Sequence, residues 1–320
     1  MSEKKQTIDI IEVGPRDGFQ NLCSYLPTDR KIYYIEQLIA AGIKHLQITS
    51  FVSPKAIPQM KDAATVASTI VERHPNLDLF ALVPNFRGAQ NAHEAGLRKV
   101  NTVISLSKSH NMANVNKTHD QSFEELRKII ENLSDMEVVL DVATAFGCPF
   151  EGKQRSASAV VEFCGRAYDM GVRTFNLCDT VGQSDPAQVA TFTCAMKEAF
   201  PDARLELHIH DTRGMGIACS LEGWKAGADG IQSTLGGLGG CPFAPGASGN
   251  TATEDLVFMF EEMGIDTGIS FKDILALAKE EHAEIQGSYS GANLLVKNTI
   301  YDLIPLGGEF VKILFVDFLN

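Results

Sequence analysis

Two histidines separated by one residue, His208 and His210, sit in the stretch RLELHIHDTRG. In an extended chain, residues two apart project from the same face, so both imidazoles could chelate one metal ion. Taken alone, the pair reads equally well as two satisfied core histidines. Asp17, in GPRDG, supplies a carboxylate, and Asn250, at the end of the Gly-rich run 236–250, supplies an amide oxygen. One carboxylate, two imidazoles and an amide oxygen make a mixed nitrogen and oxygen set suited to Mg²⁺ or Mn²⁺, with zinc as the alternative. Arg16 precedes Asp17. A permanent cation beside the metal could hold a developing enolate oxygen, although an ion pair at a strand end is the plainer reading. The same Gly-rich run contains one thiol, Cys241.

These residues are far apart in the chain, so the fold must gather them. Short apolar stretches at 8–13, 44–49, 77–83, 99–105, 136–143, 173–178, 205–210 and 230–234 read as strands. Helical spacing at 28–41, 56–73, 87–95, 122–133, 156–170, 186–200 and 216–226 separates them. Thr28 suits a helix N-cap, and Gly42, Gly96, Gly171 and Gly227 suit helix stops. Eight strand–helix units predict an α/β fold, a (β/α)8 TIM barrel, with additional C-terminal helices. A doubly wound open sheet is less consistent, because the first turn lacks GxGxxG. The expected division is a catalytic barrel over residues 1–270 and a helical extension, 271–320, packed on it. In a closed barrel the seventh, eighth and first strands are neighbours, so Asp17, the His pair, Cys241 and Asn250 should converge on the face where the strands end.

Composition narrows the function further. The hydrophobic fraction of 44% and charged fraction of 21% are those of a water-soluble globular chain. No apolar run approaches the roughly 20 residues that span a bilayer, so no membrane partner is expected. A net charge of −12 without a Lys/Arg cluster argues against a nucleic-acid surface. Seven cysteines without a CxxC pair suit a reducing compartment. The N-terminus has no apolar signal region, and the expected location is cytoplasmic.

The stretches IEVGPRDGFQN, TSFVSPK, GCPFEG, HIHDTRG and GGLGGCPFAPGASGNTATEDLV together resemble the 3-hydroxy-3-methylglutaryl-CoA lyase family of metal-dependent TIM-barrel lyases. The resemblance covers roughly residues 8–267. It implies that Asp17, His208, His210 and Asn250 bind a divalent cation, that Arg16 stabilises an enolate, and that Cys241 lies on a mobile loop and exchanges a proton with the acetyl-CoA carbanion. It also implies an acyl-CoA substrate and a homodimer. The implied reaction is cleavage of a carbon–carbon bond in a 3-hydroxyacyl thioester: Asp17 or His208 takes the hydroxyl proton, and acetyl-CoA and a 3-oxo acid result.

The chain departs from the family pattern at three places. Gln47 stands where the family usually has a glutamate. The segment from Ser105 through Lys108 to His110, expected to continue the fourth strand, replaces a SASE-like pattern and puts positive charge on the substrate face. Asp141 stands where an aromatic residue is common. Gln47, Lys108, His110 and Asp141 are therefore the candidate substrate-binding residues, and they point to an altered acyl-CoA. A Claisen-type synthase or aldolase, or a non-catalytic protein that binds metal and acyl-CoA, are the competing functions.

Overall fold

The structure is a computed structural model, and it describes residues 6–240 and 249–296. Eight strands form a closed, wholly parallel barrel in chain order: Asp9–Glu12, His45–Ser50, Asp78–Leu82, Lys99–Ser105, Glu137–Ala143, Thr174–Asp179, Arg204–Ile209 and Gly230–Ser233. The last pairs with the first, Glu12 lying opposite Ser233. This is the expected TIM barrel, with further helices Thr253–Glu262 and Phe271–Glu284 after the eighth strand. The glycine stops behave as expected: Gly42, Gly96, Gly171 and Gly227 all have positive φ, a conformation that costs residues with a Cβ.

The principal core lies between strands and helices. It is built from outward-facing strand residues such as Leu46, Ile104, Leu140 and Leu207 and from helix residues such as Val66, Leu126 and Phe192. Inside the barrel the apolar cluster is small, limited to Ile11, Val13 and Phe80. Most of the interior is polar instead: Gln47, Asn101, Asp141, Asn176, Glu206 and Gln232 are all buried there. Charged side chains fill the end where the strands begin. Lys99 Nζ binds Asp78 at 2.9 Å, His45 Nδ1 binds Asp78 at 2.8 Å, and Arg204 binds Asp9 at 2.8 Å and Glu206 at 2.9 Å. Ion pairs close that end, and a cavity lies at the end where the strands finish.

Four local expectations are corrected. Thr28 is not a cap: Pro27 occupies that position, and the Thr28 hydroxyl donates to Asp62 at 2.9 Å. The helix expected from residue 56 begins at Ala63, because the proline-containing approach forms a 3₁₀ turn at Pro58–Met60. The fourth strand stops at Ser105, because the Ser107 hydroxyl accepts the His110 N–H at 3.0 Å and starts a helix, Lys108–Val115. A two-stranded ribbon, Gly147–Cys148 with Gly152–Lys153, follows the fifth strand and was not expected. The C-terminal helix Phe271–Glu284 packs on the first long helix, Thr28–Ala40, with Tyr34 Oη donating to Glu284 at 2.8 Å.

Candidate active site

The first strand delivers Arg16 and Asp17 through a tight turn. Gly14 N–H donates to Glu12 Oε1 at 2.7 Å, and Asp17 N–H donates to Val13 O at 2.7 Å, opening the short helix Asp17–Gln20. A side chain at Gly14 would put its Cβ 2.5 Å from Glu12 Oε1, so the turn needs glycine. His208 ends up on the inner face near the end of the seventh strand, and His210 follows that strand directly. Asn250 reaches the same spot because its segment is laced to strand ends: Asp211 N–H donates to Gly249 O at 2.9 Å, and Thr234 N–H to Thr251 O at 3.1 Å. An isolated bridge pairs His210 with Asn250.

Asp17, His208 and His210, all buried or nearly so, offer ligand atoms within 4.8 Å of one another. The Nε2 atoms of the two histidines face each other at 3.1 Å, and His208 Nε2 is 3.8 Å from Asp17 Oδ2. Asn250 Nδ2 donates to Asp17 Oδ2 at 2.9 Å, while Asn250 Oδ1 is buried with no partner. An unsatisfied buried amide oxygen is costly. Its presence beside two opposed imidazole nitrogens and a carboxylate fits a cation drawn to this point, so the donor set passes the test of chemistry for a divalent metal. Burial depresses both histidines, His208 to about 3, which keeps the imidazoles neutral as ligands require. Burial works to raise the Asp17 carboxyl, but the Arg16 guanidinium beside it, with the Asn250 hydrogen bond, prevails and holds it below the usual carboxylate range.

Arg16 Nη1 binds Asp17 Oδ1 at 2.6 Å, and its Nε donates to Gln47 Oε1. Gln47 thus orients the guanidinium without neutralising it, and its own Nε2 is buried without a partner. Beside these groups opens a cavity of about 410 Å³. Arg16, Asp17, His208 and His210 border it on one side, His110 and Asn114 on another, and Asp141, Asn176 and Gln232 form its floor. Of the four residues expected to bind substrate, His110 and Asp141 line the cavity and Gln47 backs Arg16. Lys108 is exposed on the first turn of its helix and is not among the lining residues, because the Ser107 cap turns the chain. Cys241 lies outside the described residues. The floor residues Asn176 and Gln232, and Asn101, which donates to Asp141 at 2.8 Å, escaped the reading of the sequence. The signal that could have found them was the His208/His210 signal itself: polar residues recurring on the inner face of otherwise apolar strands.

Three carboxyls are buried behind the first and eighth strands. Glu12 accepts N–H groups from Gly14 and Leu235 and the Thr253 hydroxyl; Glu254 accepts the Gly236 N–H at 2.9 Å; Glu281 lies nearby. Burial pushes Glu12 up to about 7, against those hydrogen bonds. A carboxyl whose pKa is higher folded than unfolded stabilises most below its unfolded value, and that stabilisation is lost as pH rises through the folded value. For Glu12 the window runs from about 4.5 to about 7. Between pH 5.5 and 8 this group should cost the fold roughly 2 kcal/mol. Glu12→Gln should therefore flatten the fall in melting temperature over that range. An equally steep fall in the variant would show that Glu12 is not its source.

A closed parallel barrel with a carboxylate–imidazole centre and an arginine where its strands end is the architecture of a TIM-barrel enzyme. The family model described as HMGL-like matches residues 7–280. Hydroxymethylglutaryl-CoA lyase YngG of Bacillus subtilis is 40% identical over 278 residues, covering 86% of this chain and 92% of that protein. (R)-citramalyl-CoA lyase of Chloroflexus aurantiacus is 39% identical over 282 residues, covering 85% and 89%. An HMG-CoA lyase from Acinetobacter baumannii, solved with coenzyme A and 3-methylmalate, superposes with a TM-score of 0.87 at 40% identity, covering 96% of this chain and all of that one. The chain belongs to the HMGL-like family, and it is a carbon–carbon lyase.

Proposed function

We propose that this enzyme cleaves the C2–C3 bond of a 3-hydroxy-3-methylglutaryl-CoA-like thioester, giving acetyl-CoA and a 3-oxo acid, acetoacetate for the family substrate, with Mg²⁺ or Mn²⁺ bound. The observation that carries this reading is the convergence of Asp17, His208, His210 and Asn250 beside Arg16 at one cavity. A divalent cation held by those four residues would supply the Lewis acidity that lowers the pKa of the 3-hydroxyl. The hydroxyl proton passes to Asp17 or His208, and His208 is a neutral imidazole able to accept it. As the O–H electrons form the new carbonyl, the C2–C3 bond breaks and its electron pair enters the thioester enolate. Arg16, held by Gln47 and Asp17, stabilises the enolate oxygen. Cys241 returns a proton to C2 in this scheme, a role that rests on the family resemblance.

Gln47, His110 and Asp141 bear on which acyl group is accepted, and Lys108 on charge outside the cavity. They favour a second version of the reading: the same lyase chemistry on a different 3-hydroxyacyl-CoA, as the similarity to a citramalyl-CoA lyase also suggests. The reading extends to a single catalytic barrel with its C-terminal helices packed on it, and to a cytoplasmic homodimer. The free cysteines among the described residues fit a reducing compartment, and the pairing of subunits rests on the resemblance. No helix among the described residues is long and apolar enough to cross a membrane.

Incubation with 3-hydroxy-3-methylglutaryl-CoA and Mn²⁺ should release acetyl-CoA and acetoacetate, and EDTA should stop it. Cleavage that survives complete removal of metal would refute the cation's role. Metal-loaded protein that cleaves no thioester in a panel of 3-hydroxyacyl-CoAs would refute the lyase reading of this site.

A further inference from the structure

The floor of the cavity holds more hydrogen-bond acceptors than the metal centre and Arg16 use. Asp141, only 3% exposed, lies opposite Val103 on one neighbouring strand and Asn176 on the other. Its Oδ1 accepts Asn101 Nδ2 at 2.8 Å and Asn176 Nδ2 at 2.9 Å. The oxygens of those two amides, Asn101 Oδ1 and Asn176 Oδ1, are both buried with no partner. The other carboxylate bordering the cavity, Asp17, is already committed to Arg16, Gln20 and Asn250. Burial pushes the Asp141 carboxyl up to about 6, against the Asn176 hydrogen bond and the charge of Arg16. At neutral pH it is still mostly ionised and acts as an acceptor.

A floor of this kind is poorly matched to an alkyl group, which brings no donor to the unpartnered amide oxygen of Asn176 or to the Asp141 carboxylate beside it. It is also poorly matched to a ligand carboxylate, which it would repel. What suits it is a hydroxyl. We infer that Asp141 determines the specificity of the cavity by accepting a hydrogen bond from a hydroxyl on the acyl group, so that the ligand class is an acyl-CoA carrying a second hydroxyl besides the one at C3. This rests on the acyl-CoA lyase reading of the same site. A polar partner on the floor makes the preference steep: a site built to bind a hydroxyl discriminates far more strongly against its absence than an apolar pocket does against an extra methylene.

The test uses two thioesters differing by one oxygen, 3-hydroxy-3-methylglutaryl-CoA and its 3-hydroxymethyl analogue, with the full chain and Mn²⁺. The kcat/KM should favour the hydroxymethyl compound by at least about tenfold. Asp141→Ala should bring the ratio to within about threefold of one. Asp141→Asn, which keeps the volume and the contacts to Asn101 and Asn176, should lower the ratio less. Unchanged Mn²⁺ binding and circular dichroism establish that the variants are folded. The ratio of dissociation constants for the same pair, by calorimetry, gives a readout that does not need turnover. If neither compound is cleaved, 3-hydroxy-3-methylglutaryl-CoA is not the substrate and that part of the proposed function fails, but a binding preference lost in Asp141→Ala would still support the role of the floor. Equal binding of the two compounds by the unaltered protein, binding of neither, or a preference that persists in Asp141→Ala would overturn it.

Discussion

Replacing His210 by alanine should abolish EDTA-sensitive turnover and weaken Mn²⁺ binding together. His210 is one of two imidazoles whose Nε2 atoms meet at 3.1 Å, and it is pinned by its bridge to Asn250. Its removal takes away a ligand, while the backbone bonds that present Asn250, Asp211 N–H to Gly249 O and Thr251 N–H to Ile209 O, stay in place. The loss of Mn²⁺ affinity should exceed the roughly 10–100-fold that follows removal of an outer-shell partner, and turnover should fall at least as far. The fold should survive, because His210 follows the end of its strand at Ile209 and its side chain is not part of the apolar core. Titration of Mn²⁺ by electron paramagnetic resonance, alongside the cleavage assay, separates the two effects. Normal Mn²⁺ binding by His210→Ala would mean that the ion is held elsewhere.

Arg16→Gln should give the opposite split. Arg16 touches Asp17 and Gln47 and borders the cavity, but it has no lone pair to offer a cation. Mn²⁺ should therefore still bind, while kcat falls by roughly 10²–10³, the loss found when one donor to a developing oxyanion is removed. A drop confined to KM would assign Arg16 to ground-state binding instead. Gln47 sharpens this prediction. A glutamate there would offset the guanidinium charge, whereas the amide that accepts from Arg16 Nε leaves the whole charge for the enolate, so the penalty for losing Arg16 should be large in this chain.

The barrel was legible because its punctuation is local. A glycine at each of four helix ends and an apolar run after it are sufficient to mark a strand–helix repeat, and Gly42, Gly96, Gly171 and Gly227 take the expected positive φ. The convergence of Asp17, His208, His210 and Asn250 followed from closure of the barrel, which brings its first, seventh and eighth strands together. The segment after Ser105 was misread as strand because one hydroxyl decided the matter: the Ser107 cap converts an apparent strand continuation into a helix, which carries Lys108 exposed on its first turn. The surroundings of Asp141 and His208 were not legible, because Asn176 and Gln232 are unremarked polar residues until the register sets them opposite those two.

The division between an apolar exterior and a polar interior gives the two faces of each strand different tolerances to change. Leu46 and Ile48 face the helices and hold the fold, while Gln47 between them faces the chemistry; Leu140 and Val142 flank Asp141 in the same way. Exchanges at the inner positions disturb few of the contacts on which stability depends. Such a chain can drift from one acyl group to another through inward-facing substitutions alone, with the helices and their packing left as they were.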